Sequence, residues 1–129
     1  LDNEGRVWTF GLGERGRLGL GDTNSRNTPT QIPGLKNVIQ VSCGRGHTAI
    51  LDNKGRVWTF GGGENGQLGL GDTNNRTTPT QIPGFKNVIQ VSCGGYHTAI
   101  LDNEGRVWTF GEGWKGKLGL GDNNSRTTP

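Results

Sequence analysis

Three things are scarce in this sequence of 129 residues: apolar side chains, helical periodicity and charge of one sign. Hydrophobic residues make up only 29%, and no apolar run approaches the ~20 residues that a membrane-crossing helix needs. No charged-then-apolar stretch stands at the N-terminus, so the expectation is a soluble intracellular protein, cytoplasmic or nuclear, without a membrane partner. The net charge of +3 is spread over 14 basic and 11 acidic residues, which argues against the dense basic stripe of a dedicated nucleic-acid binder. Nowhere do apolar residues recur at helical spacing, which argues against bundles and α/β folds.

Glycine is abundant instead, at 25 residues. There is no Gly-x-y period, which excludes collagen, and regular clusters of Val, Ile, Trp and Phe argue against disorder. Many short strands joined by glycine turns fit this composition.

The sequence repeats itself. Leu1-Asp2-Asn3, Leu51-Asp52-Asn53 and Leu101-Asp102-Asn103 open three copies at a period of 50 residues: 1–50, 51–100 and a partial copy 101–129. About four-fifths of positions match between the first two copies, which points to recent duplication or consensus design. Within a unit, Val38–Ser42, His47–Leu51 and Arg56–Phe60 read as strands, being short, β-branched or aromatic and partly alternating. Thr28–Ile32 is a fourth, placed at an edge because Pro29 has no N–H to give. Asp52-Asn53-Lys54-Gly55 supplies a side-chain acceptor and a permissive glycine for a tight hairpin, and Asp2–Gly5 and Asp102–Gly105 repeat it.

Four-stranded units of this length, unable to bury both faces alone, are characteristic of propeller blades. The run Val41-Ser42-Cys43-Gly44-x-x-His47-Thr48-Ala49-Ile50-Leu51, then Gly55-x-Val57-Trp58-Thr59-Phe60-Gly61 and Gly66-x-Leu68-Gly69-x-Gly71, resembles the RCC1 repeat over essentially the whole chain. The fold expected is all-β, with four-stranded antiparallel blades in an incomplete ring. The resemblance implies about seven blades in a closed ring, of which this sequence holds about two and a half. Other copies of the chain, or the rest of a longer propeller, are therefore its expected first partners.

Several motifs have a chemical reading and a structural one. Gly11-Leu12-Gly13-Glu14-Arg15-Gly16 and its copies match a dinucleotide fingerprint, but no helix is expected after them, so they read as turns. Cys43-x-x-x-His47 and Cys93-x-x-x-His97 together could make a zinc site only at a close approach on the axis. The expectation is two reduced, buried cysteines, and histidines bonded to backbone within their own blades. Asp22-Thr23-Asn24-Ser25-Arg26 starts like a calcium loop but puts arginine at the fifth position. There the aspartate is expected to cap a turn and the arginine to bridge to it. Trp8, Trp58 and Trp108 share one strand position, which suits packing between blades. A light-sensing member of the resembled family carries its tryptophans in the loop before the histidine, where Arg45-Gly46 and Gly95-Tyr96 stand here. Every His, Asp and Ser recurs at the repeat period, so none stands out as a catalytic group. No cofactor, metal or catalytic residue is expected.

The copies differ mainly in two loops, and loops on a rigid scaffold are where binding residues gather. Glu14 and Arg15, Trp114 and Lys115, and the pairs Arg45-Gly46 and Gly95-Tyr96 are thus the candidate partner contacts. The resemblance implies that the loop before the histidine faces partners on one side of the ring. The function expected is a non-catalytic scaffold for protein interaction, self-assembly into a closed ring, or both. Two alternatives come from the same resemblance: a fragment of a guanine-nucleotide exchange factor for a small GTPase, and a chromatin-binding propeller.

Overall fold

The computed structural model describes residues 1–129, which form nine strands in three antiparallel sheets. β1 (Trp8–Gly11) pairs with β2 (Arg26–Gln31) in a two-stranded sheet. β3 (Val38–Cys43), β4 (His47–Asp52), β5 (Val57–Gly61) and β6 (Arg76–Gln81) follow one another in the central four-stranded sheet. β7 (Val88–Cys93), β8 (His97–Asp102) and β9 (Val107–Gly111) make the third, where an antiparallel bridge from Gly111 to Arg126 begins a fourth strand. The strands expected from the sequence are present within a residue or so. A blade, however, runs from 38 to 81 and straddles the boundary between the first and second sequence copies.

Each inner hairpin is built around its aspartate. Asp52 Oδ1 accepts the N–H groups of Lys54 (2.9 Å) and Arg56 (3.0 Å), while Oδ2 accepts from Arg56 Nε (2.7 Å) and Trp58 Nε1 (3.2 Å). Gly55 supplies the φ of +74° that closes the turn. Asp2 and Asp102 do the same in their copies. Asp52 and Asp102 are both buried, which by itself raises a carboxyl pKa, yet these hydrogen bonds outweigh burial and hold both groups below the usual carboxylate range.

Two apolar clusters form the core. One unites Val7, Ile32, Val38, Ile50 and Phe60; the other unites Leu51, Val57, Ile82, Val88, Ile100 and Phe110 with smaller neighbours. Both cross from one blade to the next, so packing between sheets, not within one, excludes the water. β4 is buried at all six positions because blades cover both its faces, whereas β8 keeps the alternation of a strand covered on one face. The junctions are close: a Cβ on Gly19 would lie 2.8 Å from the Phe60 ring, and one on Gly69 would lie 2.7 Å from that of Phe110. Backbone bonds from Gly21 N to Thr77 O and from Gly71 N to Thr127 O, both 2.9 Å, tie each blade to the outer strand of the next.

Candidate interaction surface

β4 begins at His47, which pairs with Gly61 at the end of β5, so the 44–46 turn and the loop after β5 stand at the same end of the blade. Their backbones are joined: Gly62 N–H donates to Gly46 O (2.8 Å), and Glu112 N–H donates to Tyr96 O (2.9 Å) in the next blade. Arg45 N–H donates across the junction to Gly95 O (3.1 Å), and Arg17 Nη1 donates to Arg45 O (2.9 Å). The loops of successive blades thus form one hydrogen-bonded strip.

Side chains extend that strip. The Arg45 guanidinium lies 5.8 Å from the Tyr96 ring centre, and Arg15 pairs with Glu64 of the following blade. Lys115 Nζ stands 4.5 Å from the Trp114 ring centre, with Lys117 Nζ at 5.9 Å and also 2.7 Å from Glu112. Trp114 is 59% exposed. Arg15 and Lys115 adopt left-handed backbone conformations with φ near +60° inside one-turn 3-10 segments, Glu14–Gly16 and Trp114–Gly116. Non-glycine residues rarely take that conformation outside tight turns, and here it lifts both side chains to the surface. Among the loop residues 12–17, 45–46, 62–67, 95–96 and 112–117, five cations outnumber three carboxylates. The strip is therefore net basic.

Of the eight candidate contacts, Glu14, Arg15, Arg45, Gly95, Trp114 and Lys115 are exposed and Tyr96 is partly so. Gly46 is buried, having no side chain and lying beneath the Arg17 guanidinium, whose Nη2 is 3.8 Å from where a Cβ would stand; it shapes the turn and offers a partner no surface. Arg17 and Lys117 belong to the strip as well. They share a repeat position with Gln67, and three different residues at one position was the signal that marked it.

The remaining motifs are structural, with two departures from expectation. His47 is buried, and its Nε2 lies 2.9 Å from Thr98 Oγ1 in the neighbouring blade, so it links blades instead of bonding backbone within its own. Its Nδ1 has no partner, and burial pushes the imidazole down to about 4. Cys43 is exposed, not buried; Cys93 is partly covered, accepts no bridge and donates from Sγ to Ser42 O across the junction at 3.4 Å. Burial pushes the Cys93 thiol up to about 11, which keeps it protonated and unreactive at neutral pH. Asp22 caps its turn by accepting from Asn24 N–H (3.0 Å) and pairs with Arg26 (2.9 Å). The Gly61 to Gly66 motif is a turn without a following helix: a Cβ on Gly63 would meet Asn74 O at 2.2 Å, and one on Gly66 would meet Arg126 O at 2.5 Å. No helix is long and apolar enough to cross a membrane.

Comparison with known proteins agrees with this geometry. Over 53 residues, 40% of this chain and 10% of the relative, the sequence is 40% identical to Protein RCC2 of Homo sapiens. The human WBSCR16 crystal structure superposes with a TM-score of 0.84 at 28% identity, covering 99% of this chain and 34% of that one. Prp20p of Saccharomyces cerevisiae, characterised for its binding to Gsp1p and histones, superposes at 0.84 with 20% identity, over 96% of this chain and 33% of that one. The chain thus spans about a tenth of the curated relative and about a third of the solved propellers. The family model described as the Regulator of chromosome condensation (RCC1) repeat matches residues 4–51, 54–101 and 104–129, and with blades of this order and register the chain belongs to that repeat family.

Proposed function

We propose that the chain is a non-catalytic, intracellular interaction module that binds the acidic surface of a protein partner through the strip of loops before and beside its histidines. The observation that carries this reading is the strip itself. Arg45 and Trp114, exposed, and Tyr96, partly exposed, are residue types that dominate binding energies, they occupy positions that vary between copies, and backbone hydrogen bonds join the loops that carry them. Pre-ordered side chains lose less entropy on binding, so such a surface binds more tightly than its area suggests. Prp20p's binding to Gsp1p and histones supplies two protein ligands to try first.

The test is titration of the purified chain with Gsp1p and, separately, with histones, as wild type and with Arg45→Ala and Trp114→Ala combined. A loss of about 30-fold or more in affinity at the double variant, on the scale of hot-spot truncations, supports the reading. Unchanged affinity moves the contact off the strip. Faster nucleotide release from Gsp1p in the presence of the chain favours the exchange-factor alternative.

A second observation favours completion of the ring by further blades. Phe60 and Phe110 are fully buried against Gly19 and Gly69, whereas their equivalent Phe10 is 62% exposed and Gly119 has open space before it. These are two halves of a contact the chain makes twice internally, and another repeat, in a second copy or a longer propeller, completes it. Sedimentation of the chain alone distinguishes the two: a discrete oligomer favours self-assembly, and a folded 13.8 kDa monomer favours flanking repeats.

A further inference from the structure

The outer parts of the blades join by one set of contacts, made twice. Across the first junction Phe60 is buried against Gly19, Gly21 N–H donates to Thr77 O at 2.9 Å, and Arg15 pairs with Glu64. Gly16 lies so close to the same strand that a Cβ would meet Thr77 Cα at 2.5 Å. Fifty residues on, Phe110 lies against Gly69, Gly71 N–H donates to Thr127 O, and Gly66 approaches Arg126 O. Val7 and Leu20, then Val57 and Leu70, pack in the core clusters that hold the two rings.

The last blade presents one half of this set again, with nothing on it. A Cβ on Gly119 or Gly121 would meet nothing, Gly121 N–H has no partner, and Val107 and Leu120 are exposed. Lys115 rests on the ring of its neighbour Trp114 and pairs with no carboxylate. The first blade presents the other half. Exposed Phe10, Glu14 after β1, and Arg26 and Asn27 on β2 stand in the places of Phe60, Glu64, Arg76 and Thr77. Within one chain the two halves do not meet.

We propose that two copies of the chain join head to tail, with Phe10 of one seated on Gly119 of the other, Gly121 N–H donating to Asn27 O, and Glu14 paired with Lys115. This rests on the reading that another repeat covers Phe10, and deepens it by naming that repeat and its register. Charge identifies the repeat. Position 14 and its copies read Glu, Glu and Trp, while position 15 and its copies read Arg, Asn and Lys. The first junction thus sets Arg15 against Glu64, but the second sets Asn65 against Trp114 without any charge, so the fold does not demand a pair there. Two copies joined head to tail set Lys115 against Glu14 and restore the opposite charges of the first junction. The existing ion pair of Glu14, with Arg17, is long at 3.7 Å and leaves its carboxylate open to a second cation. Burial of Phe10, Val107 and Leu120 supplies the driving force. One contact of the set has no counterpart: Thr48 and Thr98 each donate to the preceding blade, and β1 has no strand on that side. The joint between copies is therefore weaker than the internal ones and depends on concentration.

Two different surfaces meet in such a joint, which gives it a signature that a symmetrical contact lacks. Phe10→Asp disables one surface and Leu120→Asp the other, both at exposed positions, so each variant keeps its fold, as thermal melting checks. Sedimentation over a concentration series is expected to show the wild type assembling and each variant alone as a 13.8 kDa monomer. An equal mixture of the two variants forms a 1:1 dimer and nothing larger, because only one intact surface of each kind remains per pair. Glu14→Lys weakens wild-type association about fivefold, and adding Lys115→Glu to the same chain restores it. Assembly that survives either aspartate variant, or a mixture that stays monomeric while the wild type assembles, overturns this register and leaves assembly through another face standing. A wild type that is monomeric throughout overturns the proposal and leaves flanking repeats as the cover for Phe10. No partner protein is present in these measurements, so their outcome is independent of the titrations of the loop strip with Gsp1p and histones.

Discussion

The two blade junctions are an internal experiment. Both bury a phenylalanine against a glycine, and both pass a backbone bond to the next outer strand. At one wall position they differ: Phe85 sets its ring edge-on to the Trp108 indole at the second junction, where Leu35 stands at the first. Elsewhere only the second junction joins inner strands, through Gln40 to Val91, Ser42 to Cys93 and His47 to Thr98, and on the loop strip Arg15 and Arg17 at the first stand where Asn65 and Gln67 stand at the second. The phenylalanine–glycine contact and the outer-strand bond are thus the constant part, and the inner-strand bonds belong to the second junction alone.

The sharpest way to break this equivalence is to remove the constant part. Phe60→Ala and Phe110→Ala should each cost about 3–5 kcal/mol in urea unfolding, because each leaves a cavity between blades, whereas Phe10→Ala should fall within about 0.5 kcal/mol of wild type. Unequal losses at Phe60 and Phe110 would mean that the junctions are not energetically alike.

Acid probes His47, which spans the second junction, and His97 on the last blade. The unfolded chain takes up a proton on His47 near the ordinary value of 6.5, but burial keeps the folded imidazole neutral down to about 4. The contribution is complete above pH 6.5 and disappears as pH falls to about 4, a loss on the order of 3 kcal/mol. His47→Gln should flatten most of that slope in pH-dependent melting. His97, less enclosed, is lowered chiefly by burial and then by nearby Lys117, so His97→Gln should flatten it less.

A smaller effect separates close packing from backbone strain. Gly69→Ala places a methyl against the Phe110 ring at a φ of +70° and should cost about 2 kcal/mol or more. Gly119→Ala meets open space at a φ of +72°, leaving only the left-handed backbone cost of about 1 kcal/mol. Thermal melts of the two variants measure the difference. The smallest change is at the variable wall: Phe85→Leu should lose about 1 kcal/mol with the edge-on ring pair, and Leu35→Phe should be neutral or stabilising.

The strands were legible because β-branched and aromatic residues alternate between turn residues whose roles are local. Asp52 and Gly55 need only their own hairpin to act, and the structure finds them doing so. The candidate loops were legible for a different reason: a closely matched repeat exposes every position the fold leaves free. His47 was not legible, since its partner Thr98 lies 51 residues away on another blade. Gly46 misled for the same cause: its varying copy, Tyr96, suggests a free surface, but the guanidinium of Arg17, 29 residues away, lies over it.

By itself the sequence determined the repeat, the four strands, their turns and the family resemblance, because these depend on residues near one another and on a pattern copied every fifty positions. Only the tertiary structure decided which loops join into one basic strip and which histidine nitrogen crosses a junction. Those outcomes depend on neighbours brought together by stacking blades, and the order of residues along the chain does not record that distance.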